Sequence, residues 1–153
     1  LREGSDLIRP ANRGDLEALE AIERESPGSA GWAAEAYLGY DCRVAEQDGQ
    51  VVAFLVVRRV APDEAEILNV AVAPAARRRG WARRLIGEFL SEFHGTCWLE
   101  VRESNAAARS LYDSIGFRVA GARPEYYASP PESAVVMTIQ TCYREGRRTG
   151  MNG

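Results

Sequence analysis

Two periodicities divide the chain. Apolar, β-branched residues are dense over residues 42–46 and 51–60, which predicts two strands. The Gln47-Asp48-Gly49-Gln50 stretch between them carries an Asp-Gly pair suited to the positive φ of a tight hairpin turn. Further strands are predicted over residues 6–10 (Leu7, Ile8), 64–73 after a Pro62-Asp63 turn, 96–102, 117–122 and 134–140. Elsewhere the spacing is helical. Leu16, Leu19, Ala21 and Ile22 predict a helix capped by Asn12 or Asp15, with Glu17, Glu20, Glu23 and Glu25 on its outer face. Ser26-Pro27-Gly28-Ser29 ends it, and residues 32–40 predict a second short helix with Trp32, Ala36 and Tyr37 on its apolar side. Leu85, Ile86, Phe89 and Leu90 turn a helix over 79–93 toward a core. A last helix over 105–115 ends at Gly116, a position for positive φ.

The resulting order is β-α-α-β-β-β-α-β-α-β-β, a mixed α/β (α+β) sheet. Its strand–helix–strand units from Glu64 onward require some parallel pairing. A length of 153 residues suits one domain with a sizeable core, expected over residues 1–142. The basic, glycine-containing stretch 143–153 is expected to be a flexible tail. A polar, proline-containing loop between the last two strands is expected to carry Tyr126 and Tyr127.

Composition narrows the chemistry by exclusion. A net charge of −3 argues against a broad nucleic-acid surface, so the positive charge that exists must act locally. No apolar run approaches the roughly 20 residues of a membrane span, and no signal peptide is visible, so a cytoplasmic location away from membranes is expected. Cys42, Cys97 and Cys142 are odd in number and far apart, as reduced and mostly buried thiols would be. With His94 as the single histidine, neither a Ser-His-Asp triad nor a protein-built zinc site has its ligands, and chemistry without a metal is expected.

The local positive charge lies at one junction. The predicted strand ending Asn69-Val70-Ala71-Val72 stops at Pro74, passes through Arg77-Arg78-Arg79-Gly80, and resumes as a helix from Trp81-Ala82-Arg83-Arg84. Unpaired N–H groups at a helix start, together with the helix dipole, form a phosphate site. Arginines in a first turn oppose that dipole by about 0.3–1 kcal/mol each unless an anion is present, so an anion site accounts for them better than a bare solvated turn.

Arg77, Gly80 and Ala82 fit the pattern (Arg/Gln)-x-x-Gly-x-(Gly/Ala), and with the strand before and the helix after it this junction resembles the acetyl-CoA-binding motif of the GCN5-related N-acetyltransferase superfamily. A second block, from Trp98-Leu99-Glu100-Val101-Arg102 through Asn105-Ala106-Ala107 to Leu111-Tyr112 and Gly116-Phe117, is similar to the matching segment of the bacterial ribosomal-protein-alanine N-acetyltransferase branch. The Tyr126-Tyr127 pair sits where that branch has two tyrosines. The resemblance covers residues 44–139. It implies a central mixed sheet of about seven strands, helices on both faces, and a splayed parallel pair of strands holding acetyl-CoA.

The resemblance also assigns roles. Backbone of Val70, Ala71 and Val72 would pair with the pantetheine arm, and Arg77, Arg78, Arg79, Gly80, Trp81, Ala82 and Arg83 would hold the pyrophosphate and nucleotide end. Gly80 would let backbone approach the ligand closely, and Asn105 would both cap its helix and bond the arm. Direct acetyl transfer needs a base for the amine and an acid for the departing thiolate. By alternation alone Glu100 is one outward polar residue of a half-buried strand; the resemblance makes it the base, acting through a water. Glu66 stands where other branches place theirs, so both carboxylates remain candidates. Tyr112 would be the acid. Trp32, Tyr37, Tyr126 and Tyr127 could line a groove for an N-terminal peptide or could simply pack over the loop. The activity so implied is acetylation of a protein N-terminus, an alanine of a small-subunit ribosomal protein, with no nucleic acid or membrane as direct partner. A small amine as acceptor, or a non-catalytic acyl-CoA-binding module, are the rivals.

Overall fold

The computed structural model describes residues 6–26, 33–128 and 131–142. Seven strands form one mixed sheet in the order β1-β2-β3-β4-β5-β7-β6. They are β1 (Leu7–Pro10), β2 (Asp41–Gln47), β3 (Gln50–Ala61), β4 (Glu64–Val72), β5 (Gly95–Arg102), β6 (Arg118–Ala128) and β7 (Pro131–Thr141). Among the described residues four helices interrupt them: α1 (Leu16–Arg24), α2 (Ala34–Tyr37), α3 (Trp81–Ser91) and α4 (Ala106–Ile115). The element order is the one the hydrophobic pattern predicts. By contacts the chain divides into two compact units, Leu1–Arg59 with Ile67–Ile86, and Val60–Glu66 with Gly87–Gly153.

In the first unit β1, β2 and β3 pair antiparallel, and the turn between β2 and β3 has Asp48 at φ 55° and Gly49 at φ 82°, as the Asp-Gly pair requires. Leu19, Ile22, Ala34, Tyr37, Cys42, Val44, Phe54, Val56 and Ala71 form its core. Full burial stabilises each larger aliphatic or aromatic side chain among them by about 1.5–3 kcal/mol. Asn12, not Asp15, is the cap: its side chain accepts from Gly14 N–H, and it stands before a 3-10 turn at Arg13–Asp15. Asp15 answers by accepting from Asn12 N–H (2.8 Å) and by taking two hydrogen bonds from Arg9 (2.8 and 2.9 Å). Arg9 also reaches Glu46 on β2 at 2.7 Å, so one guanidinium ties β1, the helix entry and β2 together.

Two assignments on the helices need correction. Glu23 is not an outward residue of α1. Its Oε1 accepts from the Tyr37 hydroxyl (2.8 Å) and from Asn69 Nδ2 (2.9 Å), which links α1, α2 and β4. On α2 it is Ala34 that is buried while Ala36 faces out, because the helix is a single turn over 34–37 rather than 32–40. Trp32 and residues 143–153 lie outside the described residues.

In the second unit β4 and β5 run parallel and pair at three positions, Glu64↔Thr96, Ala65↔Cys97 and Glu66↔Trp98. β7 pairs antiparallel with the whole of β5 through residues 134–141, and with β6 on its other side. The β5 pattern is an unbroken alternation of buried and half-buried residues: Cys97, Leu99 and Val101 go to the core and Trp98, Glu100 and Arg102 to the other face. Phe89 and Phe93 stack at 5.3 Å, and Tyr112 meets Phe117 edge-on at 5.9 Å. Asn105 caps α4 by accepting from Ala108 N–H at 3.1 Å. Tyr126 and Tyr127, expected on a loop, lie on β6, because that strand runs on to Ala128 past a break in its register after Arg123.

Two measurements test these contacts. Arg9, followed by the Asn12 N–H, holds the Asp15 carboxyl below the usual carboxylate range against the opposing effect of burial. Its stabilisation is therefore complete above the unfolded-state value and is lost as pH falls through the lower native one. Asp15→Asn should cost about 1–3 kcal/mol in urea unfolding at neutral pH, and the gap from wild type should shrink as acid is added. A pH-independent gap would show that the carboxylate charge is not what matters. For the thiols, burial pushes Cys42 and Cys97 up to about 12 while Cys142 is exposed. Mild alkylation of the folded protein at pH 8 should label Cys142 and spare the other two until denaturant is added.

Candidate active site

The basic junction folds as a compact turn. β4 ends at Val72, a 3-10 turn follows over Pro74–Ala76, and α3 begins at Trp81. Arg78 (φ 68°) and Gly80 (φ 80°) both have left-handed backbone, and positive φ at alternate residues is a pattern that turns successive N–H groups to one side as an anion nest. The first helical bond comes from Arg84 N–H to Gly80 C=O at 3.0 Å, so the amides before Arg84 have no acceptor in the helix. A Cβ at Gly80 would meet no atom within 4 Å. Glycine is there for its φ, and the space before it is open. These features fit a phosphate group.

The side chains divide differently from the sequence expectation. Arg77 donates from Nε to Val72 C=O and from Nη2 to Glu25 C=O, both at 3.1 Å, so its guanidinium is used on the ends of β4 and α1 rather than offered to a phosphate. Trp81 is buried, with Nε1 donating to Gln47 Oε1 at 3.1 Å and the Arg84 guanidinium 4.2 Å above its ring. What Trp81 has to offer a ligand is its backbone N–H. Arg78, Arg79 and Arg83 are exposed, and Ala82 is half-buried. Val70 and Val72 are half-buried on β4, Ala71 belongs to the core, and their strand extends beyond Glu66, the last residue paired with β5.

The second unit holds both candidate carboxylates and three of the four candidate tyrosines. Because Glu66 is the register partner of Trp98, it shares the sheet face of Trp98, Glu100 and Arg102. Glu66 is 9% exposed and the Glu100 side chain 10%. Two buried carboxylates on one face need compensating cations or donors. Arg123, on β6, forms an ion pair with Glu100 through Nε, yet no donor is aligned on the buried Oε2, so the contact neutralises charge without a directed hydrogen bond. Arg102 is held by Glu132 (3.2 Å) and lies 4.2 Å from the centre of the Tyr127 ring.

The phenols respond to these charges. The Glu100 carboxylate raises Tyr126 above its ordinary range, helped by burial and opposed by Arg123; Glu66 adds a smaller effect of the same sign. Tyr127 is raised chiefly by burial and then by Glu100. Burial pushes Tyr112 up to about 12, with Tyr127 adding to it. At neutral pH Tyr112 is therefore a protonated phenol, with a proton to donate. Tyr126 and Tyr127 touch edge-on at 5.1 Å, and Tyr126 is about half exposed.

The structure thus groups Glu66, Glu100, Tyr126 and Tyr127, sets Tyr112 within electrostatic reach of Tyr127, and gives Tyr37 another role. That ring is 0% exposed, and its hydroxyl is held by Glu23 and Asn69, so it belongs to the core and cannot line an acceptor groove. Sequence reasoning missed Arg123. Its signal was weak, because it depends on knowing that β6 continues past Ala122 and that Arg123 pairs with Ala134, the residue that also faces Arg102. Among the described residues no cluster of three or more His, Cys, Asp or Glu could hold a metal, and no helix is long and apolar enough to cross a membrane.

Comparison with known proteins agrees with this architecture. The model of the acetyltransferase (GNAT) family matches residues 8–117. The ribosomal protein bS18-alanine N-acetyltransferase of Escherichia coli K12 is 39% identical over 111 residues, which span 69% of this chain and 72% of that protein. The crystal structure of the ribosomal-protein-S18-alanine N-acetyltransferase from Escherichia coli superposes with a TM-score of 0.77 at 30% identity, covering 90% of this chain and 95% of that one. Arabidopsis thaliana NAA60, solved in complex with acetyl-CoA, has the same fold at a TM-score of 0.77 and 18% identity, covering 89% of this chain and 98% of that one. With a mixed seven-stranded sheet, a nest-like basic turn after β4 and a family model spanning most of its length, this chain belongs to the GNAT family of acetyltransferases.

Proposed function

We propose that the chain is an acetyl-CoA-dependent N-α-acetyltransferase that modifies a protein N-terminus in the cytoplasm, with the N-terminal alanine of a small-subunit ribosomal protein as acceptor. The observation that carries this reading is the pairing of chemical types on one unit: buried carboxylates at Glu100 and Glu66, and a buried phenol at Tyr112 that is protonated at working pH. These are the base and the acid that direct transfer requires. Similarity to the bS18-alanine N-acetyltransferases supports the choice of acceptor.

In the proposed reaction the amides of Arg78 to Ala82 bind the pyrophosphate of acetyl-CoA, with the exposed Arg78, Arg79 and Arg83 adding charge-assisted contacts. Peptide groups of β4 beyond Glu66, at Val70 to Val72, pair with the pantetheine arm as an added strand would. Asn105 spends its Oδ1 on the α4 cap, which leaves its Nδ2 to meet the arm. The acceptor arrives as an ammonium and loses a proton through a water to Glu100. The free amine attacks the thioester carbonyl, the C–S bond breaks as Tyr112 protonates the departing thiolate, and the second proton shed by the new amide nitrogen restores the Tyr112 phenol. Glu66, on the same face, adds negative potential that favours the ammonium.

Three comparisons test this. Wild-type protein with acetyl-CoA should acetylate peptides beginning with alanine in preference to amino acids or polyamines, read by mass spectrometry; a preference for a small amine would sink the choice of acceptor. Glu100→Gln should lower kcat by about 100-fold or more, and Glu66→Gln by less. Equal turnover in wild type and Glu100→Gln would transfer the role of base to Glu66. Tyr112→Phe should reduce kcat by about tenfold or more with acetyl-CoA affinity nearly unchanged.

A further inference from the structure

The pairing of Glu100 with Arg123 leaves something unexplained. A carboxylate oxygen this deeply buried nearly always accepts a directed hydrogen bond, yet Glu100 Oε2 has only the ion-pair contact with Arg123 Nε. Its charge is met while its lone pairs are not. We propose that Arg123 stands in for the acceptor: it neutralises Glu100 in the absence of an amine and is exchanged for the acceptor's ammonium group when one binds. This rests on the reading of Glu100 given above and goes beyond it by naming what occupies the carboxylate first.

Three observations favour exchange over a permanent pair. First, the Arg123 side chain is 53% exposed, so a displaced guanidinium has water to enter. Second, its backbone lies on β6, at one end of the sheet, immediately before the break in β6–β7 register between Arg123 and Tyr127, where Glu125 takes φ 53°. Third, what it gives up besides Glu100 is slight, a cation–π contact with Tyr126 at 5.5 Å. Arg102 shows the contrast. It is only 24% exposed, is bonded to Glu132 and sits at 4.2 Å over Tyr127, as a fixed arginine should.

The chemistry of the two cations sets the direction of exchange. A guanidinium is planar and donates in a fixed fork, and held through Nε it does not align on Oε2. A primary ammonium is compact, with three donors that rotate freely, so it can direct one N–H through the bridging water to Oε2 and another toward the Tyr126 hydroxyl, which already feels Glu100. Arg123 is thus a specificity-determining residue of the acceptor site. It keeps the carboxylate neutralised and demands that an acceptor bring a full positive charge to displace it.

Steady-state kinetics of R123A, R123Q and R123K with an alanine-initiated peptide test this. The acceptor KM should fall by about threefold or more in R123A and R123Q, because a competing cation is gone, and return toward wild type in R123K. The KM for acetyl-CoA should not move. Methylguanidinium should compete with the peptide more strongly in R123A than in wild type, since it refills the vacated place. An acceptor KM that is unchanged or raised in R123A and R123Q overturns the exchange and leaves Arg123 as a support for Glu100. A wild-type enzyme that acetylates no N-terminal peptide overturns the functional reading, and the exchange with it; an active wild type with unmoved KM values overturns the exchange alone.

Discussion

Three residue pairs on neighbouring strands fix the sheet face that carries both candidate carboxylates. The parallel register Glu64↔Thr96, Ala65↔Cys97, Glu66↔Trp98 determines which side chains of β4 share a face with which side chains of β5. A slip of one residue would send Glu66 to the core side with Cys97 and Leu99, where an ionised carboxylate has no partner. The register is held from both ends of the pairing. Thr96 N–H donates to Asp63 C=O at 3.0 Å, and Trp98 Nε1 donates to Glu64 Oε2 at 3.1 Å. With Glu66 and Glu100 fixed on one face, Arg123 of β6 supplies the cation that Glu100 needs.

In the first unit the comparable role falls to side chains that bind backbone. Arg77 joins the last carbonyl of β4 to the C-terminal end of α1, where the helix dipole favours a cation. Asn69, further back on the same strand, reaches Glu23 and Tyr37 at once. The turn proposed to bind phosphate therefore follows a strand that is clamped to α1 at two points.

Much of this was legible in the sequence, for physical reasons. Strand and helix order followed from apolar periodicity, and the hairpin from Asp48-Gly49. The basic turn and the positions proposed for the acid and the base were picked out by a family motif together with the few residue types able to do the chemistry. What was hidden is long-range. Glu23 reads as one acid among several on a helix, and only the fold brings Tyr37 and Asn69 to it. Tyr37 reads as a groove aromatic until its burial is known. Arg77 matches its motif by type yet directs its side chain to carbonyls 5 and 52 residues away in sequence. Arg123 could not be paired with Glu100 without the β5–β7–β6 register, and a polar run containing Pro124 gave no hint that the strand continues.

The terminal position of β6 carries a consequence for solution behaviour. Nearly every residue from Arg118 to Ala128 is exposed, and a long open strand edge is a template on which other chains can add strands. This one is a poor template. Pro124 lacks the N–H that a joining strand would need, Glu125 twists the backbone through positive φ, and Arg118, Arg123 and Glu125 would bring charge into any stacked partner. The irregularity beside Arg123 thus also makes this edge a poor place for another strand to add.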